Sequence, residues 1–573
     1  MRRALKKSFV LFGLLVLVLP LALSCAAQTK EVAPAVATAT TAPAAPTTVA
    51  TPSPKETAKP APTTAAAEEQ PTYGGVIRTV IVSDPPHWDP HKEPTSKGHQ
   101  AVSVTNLRLL NYPMGSKYEP GDCAVIPSLA ESWEIPNDTT YIFHLYKGIK
   151  WENKPPVNGR ELTAEDVKYS WDRINASRPT KVYIIDSIRS VDVVDKYTVK
   201  FTTTTPYAPF LTGLADADTE IVAKEVVDKF GDLKGPESVI GHGPFILKEY
   251  ARGTSVTYAK NPDYFIKGRP YIDELRTLII PDLSTQVASL LSGQLDVLRE
   301  SIGPEIVAQL KKSRPSLVTT DYLTAGGKIY MRTDQPPFND KRVRQAFSMA
   351  IDRKGWVDSL YMGKGEIAYG TMIPCMTGWT MSKSEFGPAA KYFEYNIQEA
   401  KRLLAEAGHP NGFKTEMNFT AYYGMRYVEW MELLKDFESR IGINMEIKLK
   451  EYGAHMATTY VGDFNGLGFT TISNYPDPDR IFQSFWPGGR MNQSHVDDAK
   501  LSEMLAKQQQ TLDRTKRKAV IDDIQRYLAE EQYYIFVPAP INTLVYQPWV
   551  HNYGMRLDYA RERPFEVAWV SKH

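Results

Sequence analysis

Residues 74–92 read "GGVIRTVIVSDPPHWDPHK". The first nine are rich in β-branched side chains and predict a strand, because such side chains suit a pleated, packed surface. Pro85, Pro86 and Pro90 follow and forbid a helix over 84–92. This decides how the histidines are read. On a helix, His87 and His91 would share a face, with Asp84 and Asp89 alongside as metal ligands. In a proline-fixed chain that spacing loses its meaning, so a rigid turn after the first strand is expected, and no metal site.

Upstream of this strand the chain changes character. Arg2, Arg3, Lys6 and Lys7 form a basic head, Phe9 to Leu23 is an apolar run broken by Pro20, and no acid occurs before Glu31. This is the pattern of a secretory signal, and the run is shorter than the ~20 residues a spanning helix needs. The stretch "LALSC" ends at Cys25 and resembles the lipobox of bacterial lipoproteins, although Ala22 and Leu23 depart from its usual residues. Residues 1–25 are thus expected to be a lipoprotein signal with Cys25 as the lipid anchor, the alternative being ordinary cleavage and release. Residues 26–72 are almost wholly Ala, Thr and Pro, a composition that cannot offset its ordering entropy and predicts a disordered tether.

Downstream, strands alternate with helices. "YIFHLYKGIKW" (141–151) alternates apolar and polar in its first half, as a half-buried strand does. "LTAEDVKYSWDRI" (162–174) opens with Thr163 as N-cap and Asp166 three residues later, then places Val167, Trp171 and Ile174 at helical spacing. In "YNIQEAKRLLAEAGHPNG" (395–412), Asn396 and Glu399 resemble a capping box, Ala400, Leu403, Leu404 and Ala407 form the apolar stripe, and Gly408 with Pro410 ends the helix. The pattern predicts a mixed α/β or α+β chain in several lobes.

Composition and motifs exclude several functions. With 67 Lys+Arg against 66 Asp+Glu in 573 residues, the formal net charge is +1, which gives no field to steer nucleic acid. H-E-x-x-H, G-x-S-x-G, the P-loop pattern, G-x-G-x-x-G and C-x-x-C are all missing from the sequence, so no enzyme built on those mechanisms is expected and no cofactor is called for. Cys123 and Cys375 are read as two unpaired buried thiols, with a disulfide as the alternative in an oxidising compartment. Asp477 and Asp479, in "TISNYPDPDRIFQSF" (471–485), stand among prolines and are expected to form a turn with outward carboxylates, not a catalytic pair.

The order of segments is more informative than any one of them. The 74–92 stretch, "IPSLAESWEIPNDTTYIFHLYKGIKW", "LTAEDVKYSWDRI", "GHGPFILKEY", "NPDYFIKGRPYIDELRTLIIPD", "LLSGQLDV", "PPFNDKRVRQAFSMAIDR", "AKRLLAEAGHPNGF" and "NYPDPDRIF" follow one another. In order and spacing they resemble the peptide- and nickel-binding family of extracellular solute-binding proteins that feed ABC importers. The resemblance spans Tyr73 to about Tyr546.

That resemblance implies a two-lobed periplasmic-binding-protein-like fold with a hinged cleft and an extra inserted domain. Lobe I would comprise 73–112, 239–327 and 539–573, with the extra domain at 113–238; lobe II would be 328–538. The hinge would run through "GGKIYMRT" (326–333) and "YIFVPAPIN" (534–542). The implied receptor is a membrane-anchored, extracytoplasmic monomer that captures oligopeptides or a peptide-like solute and delivers it to separate permease and ATPase chains. A non-peptide ligand such as an oligosaccharide, a metal chelate or an amino-acid conjugate is the alternative, and a surface enzyme or adhesin on the same fold a remoter one.

Family members that bind peptides hold the α-amino group with an aspartate; the matching position here is Asn474, whose amide lacks the charge to offset a buried ammonium. Trp379, Tyr475 and Trp486 are candidate apolar walls of the cleft or members of the lobe core. Arg490 and Asn492 are candidate donors to a carboxylate or carbonyl, and Trp88, between His87 and His91, is a candidate for the opposite rim.

Overall fold

The computed structural model describes residues 70–92, 96–119, 123–178, 182–299, 302–422, 424, 426–472, 475, 477–489, 491–556 and 562–571. The signal segment, Cys25 and the tether as far as residue 69 lie outside the described residues, as do Asn474 and Arg490.

The opening strand spans Val76–Ile81 and runs parallel to Glu274–Ile279, with Ser255–Lys260 and Phe245–Ala251 continuing the sheet antiparallel. Ile77 and Val80 are both fully buried, and they project from opposite faces into different apolar clusters. Burial on both faces is why this strand reads as an almost unbroken apolar run. A second sheet orders Val297–Leu298, Ala539–Tyr546 and Val318–Leu323, and the short strand Gly365–Glu366 pairs antiparallel with the start of Ala539–Tyr546.

Residues 130–203 form an antiparallel sheet in the order Ala130–Asn137, Thr140–Leu145, Thr198–Thr203, Ile188–Asp195. Within it Tyr141, Phe143 and Leu145 are buried and their neighbours are not, the alternation expected for this segment. Helix Ala164–Ser177 begins at the Thr163–Asp166 capping box and buries Val167, Trp171 and Ile174. A five-stranded sheet follows, ordered Ile443–Leu449, Phe413–Phe419, Leu467–Thr471, Gly327–Met331, Tyr534–Phe536. Its first three strands are parallel; Gly327–Met331 pairs antiparallel on both sides.

Helix Ile397–Glu406 lies where the periodicity places it, and the Asn396 side chain accepts the Glu399 amide at 3.0 Å. The reciprocal half of the capping box is absent, because the Glu399 carboxylate is held by Arg402 at 2.6 and 2.7 Å. The cysteines also differ from expectation. Cys375 is buried, its thiol pushed up to about 12 by desolvation and by the nearby Cys123, but Cys123 itself is only half-buried.

The chain passes from the second sheet to the five-stranded one after Leu323 and back after Phe536. The two passages touch: Val537 N donates to Gly327 O at 3.0 Å and Thr324 N to Pro540 O at 3.2 Å. A Cβ at Gly326 would stand 2.8 Å from both the Val537 and Pro538 carbonyl oxygens, so only glycine permits this approach.

The "GHGPF" segment owes its glycines to the same constraint. A Cβ at Gly241 would lie 2.0 Å from Thr105 O, and one at Gly243 2.4 Å from Val104 O. Between them, His242 Nε2 accepts the Leu107 amide at 3.1 Å, while its ring meets Trp151 edge-on at 4.6 Å. That acceptor role requires a neutral ring, and burial holds its pKa down at about 3. Because the folded value lies below the ordinary 6.5, the contribution is complete above pH 6.5 and is lost as pH falls from there toward 3. Between pH 6.5 and 5 the wild type is expected to lose about 1.6 kcal/mol more stability than His242→Gln, because the unfolded histidine is half protonated at the upper pH and almost fully at the lower; urea unfolding of both proteins at the two pH values checks this.

Candidate functional site

Strand Leu467–Thr471 ends in the "DPD" turn, and Pro478 at the first position starts the short helix Pro478–Phe482. Asp477 caps it by accepting the Asp479 amide at 2.9 Å. The expectation of outward carboxylates is overturned here: both acids are buried. Arg517 grips Asp477 with two parallel bonds of 2.6 and 2.7 Å. Asp479 accepts from the Tyr207 hydroxyl at 2.8 Å and from the side-chain amides of Gln508, Gln509 and Gln483 at 2.5, 2.9 and 3.0 Å. Burial, together with the Asp477 charge, raises the Asp479 pKa against these donors. An outward turn would have kept the charges hydrated; a guanidinium and a ring of neutral donors make burial tolerable.

Of the other predicted residues, Trp379 and Tyr475 meet arginines of this region. Trp379 is buried in the core beneath Arg514 and Arg517, whose guanidinium carbons lie 4.6 and 5.3 Å from its ring centre. Tyr475 is half-buried, with Arg480 over its ring at 5.5 Å. Trp486 is also half-buried, and its carbonyl accepts from Asn492. Asn492 donates to Trp486 O and Val496 O at 3.0 and 2.8 Å and accepts from Val496 N at 2.9 Å. Both of its amide hydrogens are therefore engaged in closing the 486–496 loop, and none is left over for a ligand.

Trp88 lies elsewhere, 3% exposed and edge-on to Tyr250 at 5.1 Å. The acids and histidines around it are each committed. Asp84 accepts from the Tyr250 hydroxyl at 2.7 Å, buried Asp89 pairs with Arg173, and His91 Nε2 meets the Glu220 carbonyl at 2.7 Å.

Beside Tyr475 the structure encloses a cavity of about 20 Å³, lined among others by Lys328, Tyr460, Thr470, Ile481, Ser484 and Phe536. Lys328 is 6% exposed, in register with Thr470 and Phe536 on the flanking strands. Its ammonium donates to Ser484 Oγ at 2.7 Å and Gln493 Oε1 at 3.0 Å and lies 4.7 Å from the Tyr534 ring centre. Desolvation pulls its pKa down to about 7. The sequence reading missed Lys328, although a single charge inside the apolar strand "GKIYM" is a signal for it. Arg517 carried no such signal, since it stands in the charged run "RTKRK".

Two lobes joined by paired crossings, with a polar, aromatic-lined cavity beside them, define a bilobal solute-binding protein. The chain belongs to the bacterial extracellular solute-binding proteins of family 5, whose sequence model (the family's middle region) matches residues 124–493. It is 30% identical over 393 residues to the dipeptide-binding protein of Escherichia coli, covering 65% of this chain and 72% of that one. With the periplasmic oligopeptide-binding protein OppA of the same organism it shares 26% over 451 residues, or 74% and 81% of the two chains. The periplasmic binding protein DppA of Helicobacter pylori, solved in complex with the peptide STSA, aligns over 87% of this chain and 99% of its own, with a TM-score of 0.75 and 25% identity.

Removing the guanidinium beneath the turn tests its architecture. Arg517→Met leaves Asp477 buried without its cation and is expected to cost about 3–5 kcal/mol, whereas the apolar pair Asp477→Leu with Arg517→Met recovers most of that loss. Urea unfolding midpoints of the two variants check both statements.

Proposed function

We propose that this protein is the extracytoplasmic receptor of an ABC importer, capturing oligopeptides between two lobes and delivering them to a membrane permease. The observation that carries this is the alignment of 87% of the chain with a binding protein whose structure holds a peptide. The dipeptide- and oligopeptide-binding relatives support the same ligand class. Lobe I takes 73–112, 239–327 and 539–573, an inserted domain takes 113–238, and lobe II takes 328–538. The separate four-stranded sheet of residues 130–203 and the five-stranded sheet of residues 327–536 support this partition, and the passages near 324–326 and 537–538 serve as the hinge. Cys25 anchors the receptor through lipid, with residues 26–72 as a tether that holds the body off the membrane; the permease and ATPase are separate chains, and the receptor works as a monomer.

Ligand closes such a receptor only through its greater affinity for the closed state, so cargo survives purification when that difference is large. Mass spectrometry of small molecules released by denaturing the purified protein is expected to yield peptides of mixed sequence and narrow length range; a single sugar or chelate overturns the peptide assignment. For the anchor, Cys25→Ala is expected to move the protein from the membrane fraction to the soluble fraction on ultracentrifugation, and an unchanged distribution refutes lipidation at that residue.

A further inference from the structure

Lys328 is a buried charge whose hydrogen-bond partners are all neutral. It lies on a strand bonded on both sides, and burial pulls its pKa down to about 7. Its neighbours Ser484 and Gln493 are neutral, and the aromatic face of Tyr534 offers only a quadrupole. An ammonium carries three N–H donors, of which these two oxygens take two. Gln493 presents its oxygen to Lys328, which turns its amide nitrogen away, and that nitrogen is buried with no hydrogen-bond partner among the described residues. Unmet donors of this kind are costly when buried.

The cavity beside Lys328 and Ser484 has room for about one water or one carboxylate oxygen. The nearby acids Asp477 and Asp479 are turned away into the Arg517, Tyr207 and glutamine network. We propose that Lys328, with Ser484 beside it, is the anion-binding subsite of the cleft and takes a carboxylate of the cargo. A carboxylate in that space restores the missing counter-charge and engages the remaining N–H of the ammonium, while Tyr475 and Phe536 wall the adjoining apolar part. This inference rests on the reading of the cleft as the cargo site, but not on the cargo being a peptide.

The test uses the full chain, stripped of cargo by denaturation and refolding, and the dialysable fraction of yeast extract before and after methyl esterification of its carboxyl groups. Captured molecules are identified and quantified by mass spectrometry. The wild type is expected to capture carboxylate-bearing molecules and to lose at least tenfold of that capture on esterification. Lys328→Met, with folding checked by circular dichroism, is expected to capture both extracts equally. Equal capture of native and esterified extract by the wild type overturns the proposal and needs no variant, and so does full discrimination retained by Lys328→Met. The peptide assignment is judged separately: carboxylate-dependent capture of non-peptides upholds Lys328 and sinks that assignment, and ester-insensitive capture of peptides does the reverse.

Discussion

Arg517 holds the Asp477 carboxylate in two parallel hydrogen bonds beneath the turn that follows strand Leu467–Thr471, and the site's geometry depends on that grip. Two acids buried two residues apart repel each other, and one guanidinium answers the first directly. The second, Asp479, is satisfied by neutral donors, three glutamine amides and the Tyr207 hydroxyl. Neutral donors fix an orientation without adding charge, so the turn is pinned from below by many directional bonds. With its acidic side committed, the turn presents Tyr475, Ile481 and Ser484 to the cavity.

Charge is thereby sorted across a few residues. The anions of the turn face away from the cavity with a cation of their own, and the buried cation of the neighbouring strand faces it among neutral oxygens. Burying an amine without a counter-charge disfavours its charged form, which is why Lys328 sits near 7, well below the usual lysine range. Placing such a group in a core costs stability, so its position beside a cavity is better explained by what enters that cavity than by packing.

Much of the fold was legible because it is written locally. Val76–Ile81, Ala164–Ser177 and Ile397–Glu406 follow from β-branching, helical period and caps that involve residues three or four apart. The site was less legible because its partners are distant. Asp477 meets its arginine 40 residues on, and Asp479 meets Tyr207 272 residues earlier, so nothing near the "DPD" tells inward from outward carboxylates. Asn492 illustrates the opposite failure: a local loop closure engages an amide whose residue type suggests a ligand donor. Glu399 bonds Arg402 because an arginine one turn along offers a charged partner in place of a backbone amide.

The paired crossings bear on how such a receptor closes. In the partition proposed above, Tyr207 and Ala208 belong to the inserted domain, and they bond Asp479 and the Gln509 carbonyl of lobe II at 2.8 and 2.7 Å. Opening about residues 324–326 and 537–538 would break both bonds and expose Asp479 to water on that side. A hydrogen bond to a carboxylate contributes about 1.5–3 kcal/mol and a neutral one about 1 kcal/mol. Together they bias the lobes toward closure by an amount that the hydration regained by Asp479 and its partners on opening readily offsets. A contact this modest orients the lobes as they meet and leaves cargo affinity to decide whether they stay together, which is what a receptor that must release its ligand to a permease requires.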